Sequence, residues 1–350
     1  MGEDAGAKSV DGQAARRTRR EVLRAGLGLA AGAPLAGLLA SCAPAESTAA
    51  ATATSTATAT VVPTATPDTR PITLAITGDV MLGRSLSTQI LATSDRFPFN
   101  DTADYLKGFD LAIGNLECVI SKLGTPEPKE FTFPVDPAAF PRLVAAGFDI
   151  MSVANNHSGD MGKDAFVDML GNLPTYGVTP VGGGRNLTEA HAGVVRRVRT
   201  TTVGLLAYCE IGPQNFEAGT DTPGSAWLDS APMQADIQRL RPQVDYLIVF
   251  THWGIEYVTT EDDDQIGLAH AAIDAGADFV VGAHPHVRQP SETYRGKPIV
   301  YSLGNFVFDE MPGPDESQGS VLSMTLQGPK LLDWKLRTAR IGANGAPVWE

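Results

Sequence analysis

Four of the six histidines in this 350-residue chain stand where a metal ion could be bound. His284 and His286 lie in the segment GAHPHV, directly after the apolar run FVV, and Pro285 stiffens the backbone between them. Imidazole nitrogens are common ligands of transition metals. Two of them at the exit of a predicted buried strand indicate one part of a metal site.

Other ligand-type side chains follow apolar, β-rich runs earlier in the chain. They are Asp79 in ITGDVMLGR, Glu117 in AIGNLECV, Asn156 and His157 in SVANNHSGD, and His252 in IVFTHWG. In an α/β protein the carboxyl ends of such strands line one crevice, so these segments predict a shared site. The mixture of carboxylate, amide and imidazole favours one or two divalent ions, Mn, Fe or Zn, over Mg or Ca.

The two remaining histidines have ordinary surroundings. His191 lies in a polar stretch before a predicted strand, and His270 lies in the helix-like segment DDDQIGLAHAAIDAG. We expect both to be structural or solvated.

The elements that must position the site alternate between strands and helices. Strands are predicted near 72–77, 111–114, 149–153, 178–181, 194–198, 202–207, 245–250, 278–282 and 298–302. Helices are predicted for 101–107, 137–146, 162–175, 232–240 and 263–275. The segments SVLSMTL and LDWKLRTARI alternate with period two and predict a hairpin-like pair on the second sheet. Cys118 and Cys209 lie in apolar strand contexts, which favours two free, buried thiols.

The ordered segments GDVMLGR, NLE, ANNH, HWGIEY, GAHPHV and YSLGNFVFD resemble the bacterial CapA-type poly-γ-glutamate capsule-synthesis family, a branch of the metallophosphoesterase-like superfamily. The resemblance covers about residues 72–310. It implies an α/β fold, a four-layer α/β/β/α sandwich with two metal ions between facing sheets. The superfamily's first motif is normally Asp-x-His, but here it is Asp79-Val80-Met81, as is usual in the capsule branch. One metal position is therefore short of a ligand.

The same resemblance assigns roles to the candidate ligands. It implies that Glu117 bridges the two ions, which share a water as the nucleophile. Asp79 and His286 would complete the first metal position. The second would be completed by Asn156, His252 and His284.

Six further residues are candidates for catalysis or substrate binding. The resemblance implies that His157 protonates the leaving group, and Asp160, three residues on, could orient its ring. Asn305 would hold a substrate oxygen or an outer partner of a metal ligand, or else cap a turn or strand. Arg84 is a candidate for binding an anionic substrate, together with Arg185 and Arg288, although surface arginines are usually only solvated.

The first 41 residues are predicted to be an export signal. Paired arginines in RRTRREVL precede a short apolar run from Ala25 to Ala40, which is typical of a signal peptide and too short to span a membrane. The sequence Leu39-Ala40-Ser41-Cys42 resembles a lipoprotein processing box, which predicts lipidation of Cys42. An uncleaved anchor is the alternative. Thr18–Leu23 is similar to a twin-arginine signal, with ordinary unfolded export as the other possibility.

These features predict three parts: a signal peptide at 1–41, a disordered Ala/Thr-rich tether at 42–70, and a metallophosphoesterase-like domain at 71–350. The domain is expected outside the cell, lipid-anchored to the outer face of the cytoplasmic membrane. Residues 1–41 hold six basic and four acidic side chains, so their removal would change the net charge from −13 to about −15. Such an acidic chain is a poor partner for nucleic acid.

Two classes of function remain open from the sequence. One is a metal-dependent hydrolase or transferase acting on an anionic envelope polymer such as poly-γ-glutamate, and His157 beside Asp160 favours it. The other is a non-catalytic polymer-binding or export subunit, working with membrane capsule-synthesis subunits. Met81 at the expected histidine position favours this second class.

Overall fold

The computed structural model describes residues 67–93, 96–309, 311 and 313–350. The predicted signal peptide, Cys42 and nearly all of the predicted tether lie outside these residues. In the part of the chain that is described, no helix combines the length and apolarity needed to cross a membrane.

The described residues form seven α-helices and eighteen strands. The strands are β1 (Ile72–Val80), β2 (Leu111–Leu116), β3 (Val119–Ile120), β4 (Pro134–Val135), β5 (Ile150–Ser152), β6 (Thr179–Val181), β7 (Gly183–Gly184), β8 (Val194–Val198), β9 (Thr201–Cys209), β10 (Gly224–Ser225), β11 (Tyr246–His252), β12 (Phe279–Ala283), β13 (Ser291–Tyr294), β14 (Lys297–Val300), β15 (Asn305–Val307), β16 (Gln318–Gln327), β17 (Lys330–Ile341) and β18 (Pro347–Trp349). The helices are α1 (Arg84–Ala92), α2 (Ala103–Leu106), α3 (Phe140–Ala146), α4 (Lys163–Asn172), α5 (Leu187–Ala190), α6 (Ser230–Leu240) and α7 (Asp263–Ala275).

Most strands belong to two mixed sheets. The first sheet has eight strands in the order β18-β17-β16-β1-β2-β5-β6, with β15 also paired to β1. The second has six strands in the order β13-β14-β12-β11-β9-β8. The strands that lead into the predicted site run parallel to one another within each sheet: β1, β2 and β5 in the first and β11 and β12 in the second.

The layers follow from the period-two alternation of apolar side chains along these strands. In β1, Ile72, Leu74 and Ile76 pack with residues of the second sheet in one buried cluster. In β11, Ile248 faces this intersheet core, whereas Leu247 packs against α6 and α7. A third cluster holds the outer face of the first sheet against α1 to α4. The order is therefore helices, sheet, sheet, helices, as the resemblance implied.

One sequence expectation about the elements was wrong, and one helix was not predicted. The hairpin β16–β17 belongs to the first sheet, because β16 pairs antiparallel with β1 along Ile72–Thr77. The chain crosses from β14 to β15 before this hairpin, and β15 already pairs with β1, so the first sheet receives the closing strands. Helix α1 was not predicted, since RSLSTQILA has only nine residues and only two of them, Leu86 and Ile90, are buried. The expected free thiols are found: Cys118 and Cys209 are buried and unbonded to each other.

The carboxyl ends of the central strands lie at one edge of the two sheets. Asp79 is in register with Asn115 of β2 and with Asn305 of β15. His252 ends β11 beside Ala283, the last residue of β12, so His284 follows at the same level. A Cβ on Gly78 would lie 1.8 Å from the carbonyl oxygen of Gly304, so only glycine lets these backbones approach before Asp79.

Candidate metal centre

The predicted ligands converge on a buried cluster at this edge of the sheets. Asp79 and Glu117 are completely buried, and His252, His284 and His286 are each less than 5% exposed. Donor atoms of Glu117, His284 and His286 lie within 4.8 Å of one another. Since two ligands of one ion at bond lengths near 2.1 Å are typically about 3–4 Å apart, this group could close on an ion with small movements.

Glu117 is the centre of the cluster. Its Oε1 lies 3.9 Å from Nε2 of His252 and 3.7 Å from Nε2 of His286. Neither carboxylate oxygen has a hydrogen-bond partner among the described residues, although both are buried. Burial, and then the nearby charge of Asp79, raise the pKa of Glu117 well above its ordinary value. A buried carboxylate with no partner fits a bound divalent cation, which would supply the missing charge.

The three histidines near this carboxylate differ in the direction of their pKa shifts. Burial and the neighbouring His284 hold the pKa of His252 well below its usual range. Burial and His286 lower the pKa of His284 to about 3, and its Nδ1 has no partner among the described residues. Burial opposes protonation of His286, but the hydrogen bond and charge of Asp79 outweigh it and raise its pKa. Two neutral imidazoles are therefore available as nitrogen ligands.

The backbone of His284 and His286 is held in uncommon conformations. Their φ angles are 97° and 60°, in the region that residues with a side chain rarely adopt. Such conformations persist where the surrounding structure demands them, often at functional sites. Here they follow β12 directly and bring both imidazoles onto the buried carboxylate.

The contacts only partly follow the division that the resemblance implied, because Glu117, His284 and His286 also form one close group. On one side, Nδ1 of His286 lies 3.4 Å from Oδ2 of Asp79. On the other side, Nε2 of His252 lies 2.8 Å from Oδ1 of Asn156, and the rings of His252 and His284 are 4.7 Å apart. Glu117 lies between the two sides. The arrangement could therefore hold a pair of ions with a shared carboxylate.

Asn115 and Asn155 complete the site, and sequence reasoning did not assign them a role. The amide nitrogen of Asn115 donates to Oδ1 of Asp79 at 2.8 Å and lies 3.2 Å from Nδ1 of His252. Its oxygen accepts from the amide of Asn155 at 3.0 Å. Asn115 thus fixes two predicted ligands from opposite sheets. The only sequence signal was its place in the NLE motif at the end of β2.

The ring of the candidate acid His157 is held by Asp160 and Phe133. Its Nδ1 lies 2.8 Å from Oδ2 of Asp160, and its ring stacks on Phe133 with 4.0 Å between ring centres. Asp160 also accepts from the backbone amide of Phe133 and forms an ion pair with Lys129. Burial lowers the pKa of His157 and outweighs the opposing effect of Asp160. The predicted orientation by Asp160 is thus present, whereas Lys129 was not anticipated.

Met81 stands where the superfamily normally has a histidine, and its side chain is completely buried. The sulfur accepts a hydrogen bond from the backbone amide of Gly83 at 2.9 Å. The thioether is thus engaged by its own loop and packed in the core beneath α1. The Met81 sulfur is therefore not directed at the carboxylate cluster as a free donor.

Arg84 and Asn305 make contacts that differ from those of free substrate-binding groups. Nε of Arg84 donates to Asp309 at 2.7 Å, and its guanidinium lies over the rings of Phe133 and Phe308. Oδ1 of Asn305 lies 3.0 Å from Nδ1 of His286, and its amide nitrogen donates to the backbone oxygen of His286. The geometry thus supports the alternative role of Asn305 as an outer partner that orients a ligand.

The other two arginines of the expected basic patch are also engaged. Arg185 lies 3.8 Å from the carboxylate of Glu189. Arg288 donates to Thr338 and Gln318. Arg84 and Arg185 each have a carboxylate partner, whereas both partners of Arg288 are neutral, so these contacts do not support a patch of three uncompensated arginines.

Comparison with known proteins places the chain in a family. The family described as "Bacterial capsule synthesis protein PGA_cap" matches residues 73–310. The chain is 32% identical to the "PGA biosynthesis protein CapA" of Bacillus subtilis (strain 168) over 239 residues, covering 67% of this chain and 63% of that protein. It is also 32% identical to a "Probable polyglutamine synthesis accessory protein" of Mycobacterium tuberculosis (strain ATCC 25618 / H37Rv) over 265 residues, covering 71% of this chain and 70% of that one.

A solved structure described as a novel phosphatase from Mycoplasma pneumoniae has the same fold, with a TM-score of 0.50 at 12% identity, covering 77% of this chain and 94% of that one. This likeness, with the layers described above, confirms the metallophosphoesterase-like α/β/β/α sandwich. The chain spans 63% and 60% of the lengths of the CapA proteins of Bacillus subtilis and Bacillus anthracis. Since the family match covers most of the chain, the chain belongs to the bacterial capsule synthesis protein PGA_cap family.

Proposed function

We propose that this chain is a metal-dependent hydrolase-like protein of poly-γ-glutamate capsule synthesis or processing. Its family membership and the names of its relatives support the capsule role. The observation that carries the hydrolase part is the completely buried Glu117, which follows a strand of the first sheet, has no partner for either oxygen among the described residues, and faces two imidazoles at the carboxyl ends of strands of the second sheet. Without a cation this arrangement would be costly to bury.

The residues fit one or two divalent ions of the Mn, Fe or Zn class. Asp79, Glu117 and His286 would hold one position, and Glu117 with Asn156, His252 and His284 would hold the other. When bound, such ions supply Lewis acidity and a water nucleophile activated at neutral pH.

The proton chemistry belongs to His157. With Nδ1 fixed by Asp160, its Nε2 makes no hydrogen bond to the described residues, so the imidazolium form would give its Nε2 proton to a leaving group and become the neutral ring. The stacked Phe133 prevents the ring from turning. A positioned acid of this kind contributes roughly 10²–10⁴ to the rate.

The decisive experiment combines metal analysis with an activity assay. Protein purified without chelators should contain Mn, Fe or Zn in a ratio of one or two per chain. The loaded protein should hydrolyse a γ-glutamyl polymer or a phosphodiester. A metal-free preparation that binds none of Mn, Fe and Zn at micromolar concentration would contradict the proposal.

The second candidate is a non-catalytic polymer-binding or export subunit. The substitution of Met81 for the expected histidine favours it, because one metal position has fewer ligands. A metal-loaded wild type that hydrolyses neither substrate, yet binds poly-γ-glutamate as tightly as a His157→Ala variant does, would establish this alternative.

The cellular setting is also part of the proposal. Export, removal of residues 1–41 and lipidation of Cys42 would hold the domain at the outer face of the cytoplasmic membrane, near membrane capsule-synthesis subunits and their anionic polymer. The short apolar run ending in Leu-Ala-Ser-Cys supports this placement. Mass spectrometry of the membrane fraction should find a lipid on Cys42. A soluble chain cleaved elsewhere, or one retaining residues 1–41, would contradict it.

A further inference from the structure

A second cavity, here called the Arg288 cavity, lies on the His286 side of the candidate metal centre. It has a volume of about 390 Å³, and its lining includes Arg288 and residues of the hairpin β16–β17. Arg288 stands two residues after His286, so their Cα atoms are at most about 7 Å apart. The cavity is therefore close enough to contact a part of a substrate that extends beyond the reacting bond.

The guanidinium of Arg288 keeps its charge and most of its donors available. It donates to the side-chain oxygens of Thr338 at 3.2 Å and Gln318 at 2.7 Å, and both partners are neutral. Of the carboxylates that the structure describes, none forms an ion pair with it, whereas Arg84 and Arg185 each have one. Since a guanidinium has five N–H donors, three are left for a ligand.

A buried hydroxyl lines the same cavity without a partner. Ser320 is 3% exposed, and its hydroxyl makes no hydrogen bond to any residue in the described part of the chain. It is in register with Thr338 on the neighbouring strand, whose oxygen already accepts from Arg288. Because a buried hydroxyl without a hydrogen bond is unfavourable, Ser320 fits a ligand that brings an acceptor into the cavity.

Another wall of the cavity is fixed by Gln289. Its amide donates to the backbone oxygens of Val258 and Thr260 at 3.0 Å each, and its oxygen accepts from Gln265 at 2.9 Å. These bonds hold the loop on either side of Thr259, whose exposed side chain lines the cavity. The wall is thus in place before any ligand enters.

One acidic side chain opposes an anion here. Asp315 is exposed, lines the cavity and does not pair with Arg288. The field of an exposed carboxylate is weakened by water and salt, whereas Arg288 and Ser320 offer donors for direct contact. The donors therefore decide which charge the cavity prefers.

We propose that the Arg288 cavity binds a carboxylate carried by the polymer segment next to the bond held at the metal centre. The guanidinium would donate to the carboxylate oxygens, and the Ser320 hydroxyl would donate to the same group. The inference rests on the proposed function and narrows its substrate class to a polymer with a regularly placed carboxylate. A γ-glutamyl chain meets this condition, because every residue carries an α-carboxylate. Arg288 is then a specificity-determining residue that contacts substrate away from the reacting atoms.

The test compares two peptides that differ in the charge of their α-carboxyl groups. Binding of γ-linked triglutamate, and of the same peptide with every α-carboxylate converted to an amide, is measured by calorimetry on the full-length metal-free protein. We expect the charged peptide to bind roughly tenfold more tightly at low salt, as charge-assisted hydrogen bonds predict. The net charge of −13 alone would favour the amide, so the sign of the preference is diagnostic.

Variants of the cavity separate its groups. Arg288→Gln should lose the preference, and Asp315→Asn should tighten binding of the charged peptide by about twofold at low salt. Ser320→Ala should weaken that binding by about three- to fivefold. Since the Ser320 hydroxyl has no partner to lose, the ligand-free variant should unfold at the same denaturant concentration as the wild type, which excludes misfolding as the cause.

Arg197→Gln is the matched control. Arg197 is also exposed, and its side chain likewise bonds only a neutral group, the backbone oxygen of Arg199. The variant removes the same charge from outside the cavity and should keep the preference. Equal binding of the two peptides by the wild type, or an unchanged preference in Arg288→Gln, would overturn the inference.

The metal-free titration also separates this inference from the proposed function, because it requires neither metal nor turnover. A preference that Arg288→Gln loses supports the cavity even in a protein that proves inactive. Absence of the preference contradicts it even in a protein that proves to be a hydrolase. Inorganic phosphate at the same concentration should leave the charged peptide bound. Displacement by phosphate would assign the cavity to a small free anion and overturn the polymer carboxylate.

Discussion

The chain contains two kinds of histidine and carboxylate cluster. At the edge of the sheets, Glu117 lies 3.7–3.9 Å from two imidazoles and has no hydrogen-bond partner among the described residues. Beneath α6, by contrast, Asp236 accepts from His191 at 2.7 Å, from Tyr208 at 3.1 Å and from Arg239 at 3.1 Å. The second cluster is electrostatically complete, and the first is not. The difference shows that buried polar atoms without hydrogen-bond partners, more than residue type, distinguish a candidate ligand site.

Cavity size does not make this distinction. His191 and Asp236 line a cleft of about 540 Å³, larger than the Arg288 cavity beside the metal centre. Yet the carboxylate in that cleft is fully bonded, and its paired partners hold the pKa of Asp236 below its ordinary value despite burial. His270 is similar, since it bonds Glu292 at 2.5 Å and stacks on Tyr294. Both histidines thus have the structural role expected from the sequence.

The largest effect should come from removing a ligand. His252→Ala should lower metal affinity by more than about a hundredfold, because loss of outer partners alone costs about 10–100-fold. Hydrolysis should disappear together with the metal. His191→Ala is the matched control and should keep its metal, as measured by elemental analysis after dialysis. Equal metal content in the two variants would remove the distinction between the clusters.

A second prediction compares two histidine and aspartate pairs of nearly equal length. His157 and Asp160 are 2.8 Å apart, and His191 and Asp236 are 2.7 Å apart. His157→Ala should keep most of its metal and lose turnover by about 10²–10⁴, whereas His191→Ala should keep turnover. The loss should be smaller for substrates whose leaving group needs no proton. An equal loss on both kinds of substrate would argue against proton donation.

Much of this site could be predicted because strand exits are visible in a sequence. Apolar runs followed by Asp79, Glu117, Asn156, His252 or His284 predict the edge at which they meet. The hydrogen-bond and ion-pair partners that these residues find in distant parts of the sequence could not be predicted. Asn115 contacts Asp79 only through the register of β1 and β2, and Lys129 reaches Asp160 from a separate loop. Arg84 looked available because Asp309, its partner, is 225 residues away.

The third prediction concerns Asn115, which joins the two halves of the cluster. Asn115→Ala removes the amide that donates to Asp79 and contacts His252, so metal affinity should fall by about 10–100-fold. The ligands themselves remain, so saturating metal should restore turnover. Asn172→Ala is a suitable control, because its amide bonds only Asp168 within α4. A variant that stays inactive at saturating metal would assign Asn115 a different role.

The smallest effect is on the stability of the metal-free protein, and its sign is unusual for a buried polar residue. The pKa of Glu117 in the folded protein is raised above its ordinary value of 4.5. Between pH 4.5 and the raised pKa, the folded state therefore keeps a proton on this carboxyl that the unfolded chain has lost. Stability of the metal-free protein should therefore fall with rising pH above 4.5, until the carboxyl ionises in the fold as well. Glu117→Gln removes this penalty and should stabilise the metal-free protein at pH 7 by about 1–3 kcal/mol.

The same substitution should abolish the stabilisation that metal gives to the wild type, which is about 2.7 kcal/mol at a hundred times the dissociation constant. The buried histidines act in the opposite direction, since the lowered pKa of His284, about 3, costs stability as pH falls below 6.5. Denaturant unfolding with and without Mn²⁺, from pH 5 to pH 8, measures both effects. If Glu117→Gln were less stable than the wild type without metal, the carboxylate would have a partner inside the fold. The contrast with the fully bonded Asp236 would then no longer hold.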